Sequence, residues 1–322
     1  MRVSLPSLGM GAAAIGNLYR PMTDEEAIDT VAAALEAGIS YFDTAPHYGF
    51  GLSEKRLGEA LRDQKVIIST KVGRLLRPVS GAPSVRHGFA EAAPFEPVFD
   101  YSYDAVMRSF EESCARLGRG QIDLLLAHDL GRITHGDAHE AHYRTFMGGG
   151  YRAMRELRES GAVKAIGLGV NEWQICEQVM ADAEFDLFLL AGRYTLLEQG
   201  ALDSFLPACA ARDIGVIIGG PYNSGILAGG THFNYEPAPE PILAKVSRLK
   251  QHCTLHGVTL AAAALQFPLA HPQIVSVIPG MAGRHQVEEA SRLMNTAIPA
   301  SFWSALREDG LLHPDAPTPK GR

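Results

Sequence analysis

The segment YFDTAPHYGFG, residues 41–51, begins as an apolar run and then presents an acid, an imidazole and a phenol in quick succession: Asp43, His47 and Tyr48. Two later apolar runs end in the same abrupt way. VIISTKV (66–72) carries Lys71, and DLLLAH (123–128) ends in His128. Burying any one of these groups alone is expensive, whereas together they can satisfy one another. Lys71 beside Asp43 forms a charge pair, and a cation near Tyr48 is expected to lower its phenol pKa from ~10. His128 can hydrogen-bond the same oxygen that Tyr48 addresses. The chemistry on offer is proton transfer at an oxygen atom. Singly, each residue reads as an ordinary core tyrosine, solvated lysine or satisfied histidine. Four of them at successive strand ends read as a site.

Such a set needs a frame that brings successive strand ends to one rim. Eight strand-like runs recur: 7–11, 41–45, 66–72, 123–128, 165–170, 186–192, 215–220 and 274–280. They are too uniformly apolar for a half-exposed sheet and suit parallel strands covered by helices. Amphipathic segments separate them. The first, TDEEAIDTVAAALEAG, predicts a helix with Thr23 as N-cap, acids in its first turn and an end at Gly38. Strict alternation predicts an α/β fold of the (β/α)8 TIM-barrel type. The rival, a doubly wound sheet, calls for GxGxxG after the first strand, and GMGAAAIG does not match it.

Two stretches break the rhythm, 74–101 after the third strand and 221–242 after the seventh, both rich in Pro and Gly. Both leave the carboxyl ends of strands, where barrel enzymes place their sites. The expected organisation is one barrel domain over 1–313 and a loose tail over 314–322. With 322 residues the chain suits one such domain. A net charge of −7 argues against a nucleic-acid surface. No run reaches the ~18 apolar residues of a membrane helix, and the start lacks a signal-peptide pattern. The scattered Cys114, Cys176, Cys209 and Cys253 suit reduced thiols in the cytoplasm.

FDTAPHYG, STKVGR and LLLAHD together resemble the aldo-keto reductases, NAD(P)-dependent oxidoreductases on a (β/α)8 barrel, over residues of about 10–295. Asp43, Tyr48, Lys71 and His128 match that family's tetrad in order and spacing. The resemblance implies that Tyr48 is the proton donor or acceptor, that the Lys71–Asp43 pair activates it, and that His128 orients substrate. It further implies substrate contacts from His47, Tyr48, Arg74, His128 and Asp129, and no metal.

For the dinucleotide, the resemblance assigns Gly11, Ala12 and Asp43 near the first strands and Asn171 to the nicotinamide carboxamide. GPYNSGIL (220–227), with Pro221, Asn223, Gly225 and Leu227, matches the segment that covers the pyrophosphate. IPGMAGRHQVEEA (278–290), with Gly280, Arg284, Gln286 and Glu289, matches the adenosine segment. The sequence departs from the family pattern at Val170, Ala191 and Gly219, where a serine, a glutamine and a stacking aromatic are usual. Gly280 and Gln286 stand where NADP-specific members carry basic side chains, and Arg284 and His285 are one or two places off. The expected cofactor is therefore NAD, with NADP second and Arg284 the residue that could admit it.

PHYGFGLSEKRLG and AGRYTLLEQGAL resemble the sugar and lactol dehydrogenase branch, whose members oxidise a cyclic hemiacetal to a lactone. That implies a small sugar or aldehyde as partner (L-fucose, L-galactose, D-arabinose or pyridoxal), in a monomer or homodimer. General aldehyde or ketone reduction is the nearby alternative. Two readings from other classes compete. His128, His135, His139 and His142 fall within fifteen residues and could suggest a metallohydrolase, but no HExxH or HxH pattern accompanies them. A non-catalytic cofactor-binding subunit is the other, and the intact tetrad weighs against it.

Overall fold

The structure, a computed structural model, describes residues 4–321. Eight parallel strands follow in order: β1 (Met10–Gly11), β2 (Tyr41–Asp43), β3 (Ile67–Val72), β4 (Ile122–His128), β5 (Val163–Val170), β6 (Leu187–Ala191), β7 (Gly215–Gly219) and β8 (Ile274–Ile278). Each pairs with the next in sequence order. Gly9 N–H donating to Val277 O and Gly11 N–H to Pro279 O join β8 to the start of the chain and close the barrel. This sequential order is that of a (β/α)8 barrel and not of a doubly wound sheet, whose strand order reverses at a switch point.

The eight principal helices are α1 (Asp24–Glu36), α2 (Leu52–Ala60), α3 (Tyr103–Leu117), α4 (Tyr151–Glu159), α5 (Gln174–Asp182), α6 (Phe205–Ala210), α7 (Leu260–Gln266) and α8 (Arg284–Met294). Thr23 caps α1 in a full capping box: its side chain accepts from Glu26 N–H, and the Glu26 carboxylate accepts from Thr23 N–H. Strand faces divide between two cores. Tyr41, Leu124, Leu126, Ala165, Leu187, Leu189, Ile217 and Ile278 fill the barrel, while Phe42, Ile68, Leu125, Ile166, Phe188 and Ile218 pack outward against helices. Burial on both faces is why the strands lack polar alternation.

The structure corrects three expectations. The 74–101 connection is not a plain loop. Arg74–Pro78 pairs antiparallel with Phe95–Phe99, and Val85–Arg86 pairs with Phe89–Ala90 inside that ribbon. The 221–242 connection holds a shorter ladder, His232–Phe233 with Glu236–Pro237. Helices Glu240–His256 and Ala300–Glu308 lie outside the simple alternation. Within the stretch expected to form the tail, Ala316 is buried and its carbonyl accepts from Arg307. Arg322, the end of that tail, lies outside the described residues. Among the described residues no single helix is long and apolar enough to cross a membrane, and all four cysteines are free thiols.

Candidate active site

Side chains on a strand face recur every second residue, and that period builds the site. Tyr41, inside the barrel, puts Asp43 above it; Leu124 and Leu126 put His128 above them. Ser69 and Lys71 rise the same way on β3, where Ser69 lies in register with Asp43. The apolar interior thus ends in a polar layer at the carboxyl rim.

Lys71 is the hub. Its Nζ donates to Asp43 Oδ2 at 2.7 Å, to Thr44 O at 2.8 Å and to Tyr48 Oη at 3.1 Å. Its ammonium also lies 4.6 Å from the centre of the Tyr48 ring. The Lys71 and Asp43 side chains are only 2% and 3% exposed. Ser69 Oγ donates to the second Asp43 oxygen at 2.6 Å. Gly169 on β5 leaves room for the lysine stem: a Cβ there would stand 3.1 Å from Lys71 Cε. Tyr48 is placed by a turn in which Gly49 takes φ +64° and lies so close to Gly16 that a Cβ on Gly16 would come within 2.8 Å of the Tyr48 carbonyl.

The expectation of a lowered phenol pKa is overturned. Burial, and then the charges of Asp43 and Asp129, hold Tyr48 well above its ordinary value. Lys71 already forms a close pair with Asp43, so little of its field is left to favour a phenolate. Burial, followed by the charges of Arg74 and Lys71, keeps His128 well below the usual histidine range, so its imidazole is neutral. His47 is pushed down to about 2, chiefly by burial and then by Arg74. Nδ1 of both rings is buried without a hydrogen-bond partner.

His47, Tyr48, Lys71, His128, Asp129 and Asn171 line one cavity of about 440 Å³. Arg74 does not reach it. It stacks 4.6 Å from the Phe99 ring and forms an ion pair with Asp129, which also accepts from Asn171 Nδ2 at 3.1 Å. His87, Gly88 and Phe89 complete the cavity from the ribbon, and Tyr19 and Tyr235 stand at its mouth. Sequence reading marked the two long connections as functional ground but could not name these residues.

A groove of about 500 Å³ opens from the same junction, sharing Tyr48, Tyr19, Tyr235, Leu189 and Ala191 with the first cavity. Gly11, Asp43, Asn223, Gly225, Gly280 and Gln286, positions that the resemblance assigns to the dinucleotide, line it. Its walls suit a dinucleotide. A Cβ on Gly225 or Gly280 would meet nothing within 4 Å, so the backbone is bare towards the groove. Asn223, fixed by the Gly192 carbonyl and Thr195, and Gln286, which accepts from Ala282 N–H at 2.7 Å, add polar contacts.

Other assigned positions lie elsewhere. Ala12 and Leu227 are buried in the core, and Pro221 is buried without lining the groove. Glu289 lines a separate shallow depression with His285. Arg284 is turned to α1, where Asp29 and Glu36 take its guanidinium at 2.6 and 2.5 Å, and it is not among the residues that line the groove. The four histidines of 128–142 do not converge. His139 is bonded to Leu130 O and Gln178, while His135 stacks on His142 at 4.1 Å and bonds Tyr101.

A model of the aldo/keto reductase family matches residues 7–309. The chain belongs to that family. Within it, the chain is 44% identical to pyridoxal 4-dehydrogenase of Microbacterium luteolum, across 96% of this chain and 95% of that protein. It is 37% identical to D-threo-aldose 1-dehydrogenase of a Pseudomonas species, across 98% and 96%. L-galactose dehydrogenase of Arabidopsis thaliana is 29% identical, across 89% and 83%. The holo form of an aldo-keto reductase from Bacillus halodurans superposes with a TM-score of 0.74 over 97% of this chain at 21% identity, a likeness of fold. The chain is an oxidoreductase of this family, and its relatives include aldose and pyridoxal dehydrogenases.

Proposed function

We propose that this chain oxidises the hemiacetal carbon of a cyclic aldose to a lactone, with Tyr48 as the proton acceptor and NAD as the preferred dinucleotide. One observation carries the reading: Lys71 bonds Asp43 and Tyr48 at once, at the point where the two cavities meet. A proton-transfer group at that junction touches substrate on one side and cofactor on the other. When bound, the nicotinamide supplies the hydride acceptor.

The protein's own residues handle the proton and the orientation. The hydroxyl proton passes to the Tyr48 phenolate, whose oxygen Lys71 holds by hydrogen bond. Neutral His128 offers a ring nitrogen to a substrate oxygen. Asp129, fixed by Arg74 and Asn171, closes the polar side of the cavity, while Phe89 and His47, 5.3 Å apart edge to face, form its aromatic side. NAD preference is supported by uncharged Gly280 and Gln286 along the groove and by the engagement of Arg284 with Asp29 and Glu36.

Pyridoxal, which also closes to a hemiacetal, is the second reading. The 44% identity to a pyridoxal 4-dehydrogenase and the aromatic wall of Phe89 and His47 favour it. The test is NAD⁺ reduction across L-fucose, L-galactose, D-arabinose and pyridoxal, with product identified as lactone. An aldose with the highest kcat/KM is the expected result. Pyridoxal alone would transfer the assignment to the second reading. Turnover of open-chain aldehydes only, in the reducing direction, would contradict both.

A further inference from the structure

The groove that suits the dinucleotide has a single cation among its lining residues, Arg20. It stands in the loop after β1, which Arg56 holds from beneath by donating to Ile15 O, Asn17 Oδ1 and Met22 O at 2.7–2.8 Å. The Arg20 backbone is therefore well anchored although its side chain is exposed. Its guanidinium donates to Ala282 O at 3.0 Å and to its neighbour Pro21 O at 3.4 Å. Among the described residues no carboxylate pairs with it. That sets it apart from Arg56, Arg74, Arg116, Arg158, Arg193 and Arg284, each neutralised by an acid.

The place of this charge is informative. Ala282 adjoins Gly283, which precedes α8 without any side-chain cap, and Gln286 reaches back to Ala282 N–H. Arg20 and Gln286 thus both bond the backbone of Ala282, and all three line the groove. A guanidinium with two carbonyl contacts and no counter-ion gains most from a phosphate, which it can grip through two parallel bonds.

Resting on the dinucleotide reading above, we propose that Arg20 is the contact for the 2′-phosphate of NADP, and that the chain's use of NADP depends on it. Arg284 takes no part. One exposed charge-assisted contact corresponds to about tenfold in affinity, enough to admit NADP as a second cofactor.

The test is binding, independent of any sugar. Dissociation constants for NADPH and NADH are measured by fluorescence, and those for 2′,5′-ADP and 5′-AMP by calorimetry. Arg20→Ala is expected to weaken NADPH and 2′,5′-ADP about tenfold and to leave NADH and 5′-AMP within about twofold. Arg20→Lys should recover part of the loss, and Arg284→Ala should move none of the four ligands beyond twofold. An equal loss for NADH and NADPH would place Arg20 on the pyrophosphate and overturn the inference. So would an unchanged NADPH affinity, or a selective loss in Arg284→Ala. Failure of the unaltered protein to bind either dinucleotide overturns the dehydrogenase reading itself, a result distinct from any of these.

Discussion

Replacing Lys71 by Met separates what the lysine does for the fold from what it does for the reaction. The ammonium makes three hydrogen bonds at 2.7–3.1 Å in a site almost closed to water. Without it, Asp43 keeps one strong partner, Ser69, and becomes an uncompensated buried charge. Breaking a buried pair in this way costs about 3–5 kcal/mol. Asp43→Asn in the same background removes the stranded charge, so the double variant should lie within about 2 kcal/mol of the parent. The coupling between the two sites should then be at least about 2 kcal/mol. Urea unfolding followed by circular dichroism measures all four corners of the cycle. Activity should not recover in parallel: kcat stays about 10²–10⁴-fold down in both Lys71 variants, because Tyr48 has lost the group that holds its oxygen. A Lys71→Met protein within about 1 kcal/mol of the parent would refute the energetic argument. An active double variant would refute the catalytic one.

Three further outcomes follow from the same geometry. His47 is held neutral in the fold far below the ~6.5 of an unfolded histidine, so its contribution to stability is complete above about pH 6.5 and lost as pH falls. His47→Asn should therefore flatten the acid limb of a stability–pH curve by up to about 1.4 kcal/mol per pH unit between about pH 6 and 4, and an unchanged slope would contradict the burial argument. Gly49→Ala forces a left-handed residue and drives a Cβ into the Gly16 carbonyl, so it should cost at least about 2 kcal/mol by urea unfolding. Oxidation should accelerate as pH rises above neutrality, because the phenol is raised and its base form must be present to take the proton. A flat kcat profile up to about pH 10, with hydride transfer rate-limiting, would remove Tyr48 from that role.

The barrel strands were readable because both of their faces are buried, which writes each one as an unbroken apolar run. The tetrad was readable because period-two alternation lifts Asp43, Lys71 and His128 above apolar residues of the same strand face. What escaped depended on distance along the chain. The ribbon strands Val85–Arg86 and Phe89–Ala90 are two residues each, and the loop after β1 holds the second of them, Leu18 bridging Phe89 and Asn17 O accepting from Ala90 N–H, about seventy positions away and so beyond any local pattern. Arg284 looked poised for a phosphate, yet Asp29 and Glu36 claim it from a helix about 250 positions earlier. Arg20 meets Ala282 across 262 positions, because β8 closes the barrel beside the chain's start. The sign of the Tyr48 shift also escaped: residue types showed a cation nearby, while burial and the partner already held by that cation decide the outcome.

The central claim is that Tyr48 carries the proton in a dinucleotide-dependent oxidation, and Tyr48→Phe tests it most directly, since it removes one oxygen and keeps the ring. Steady-state NAD⁺ reduction on the best hemiacetal substrate should fall about 10²–10⁴-fold in kcat. The dissociation constant for NADH, read by fluorescence on the same preparation, should stay within about threefold of the parent. A variant retaining more than about a tenth of the parent kcat, with the dinucleotide bound as before, would contradict the account.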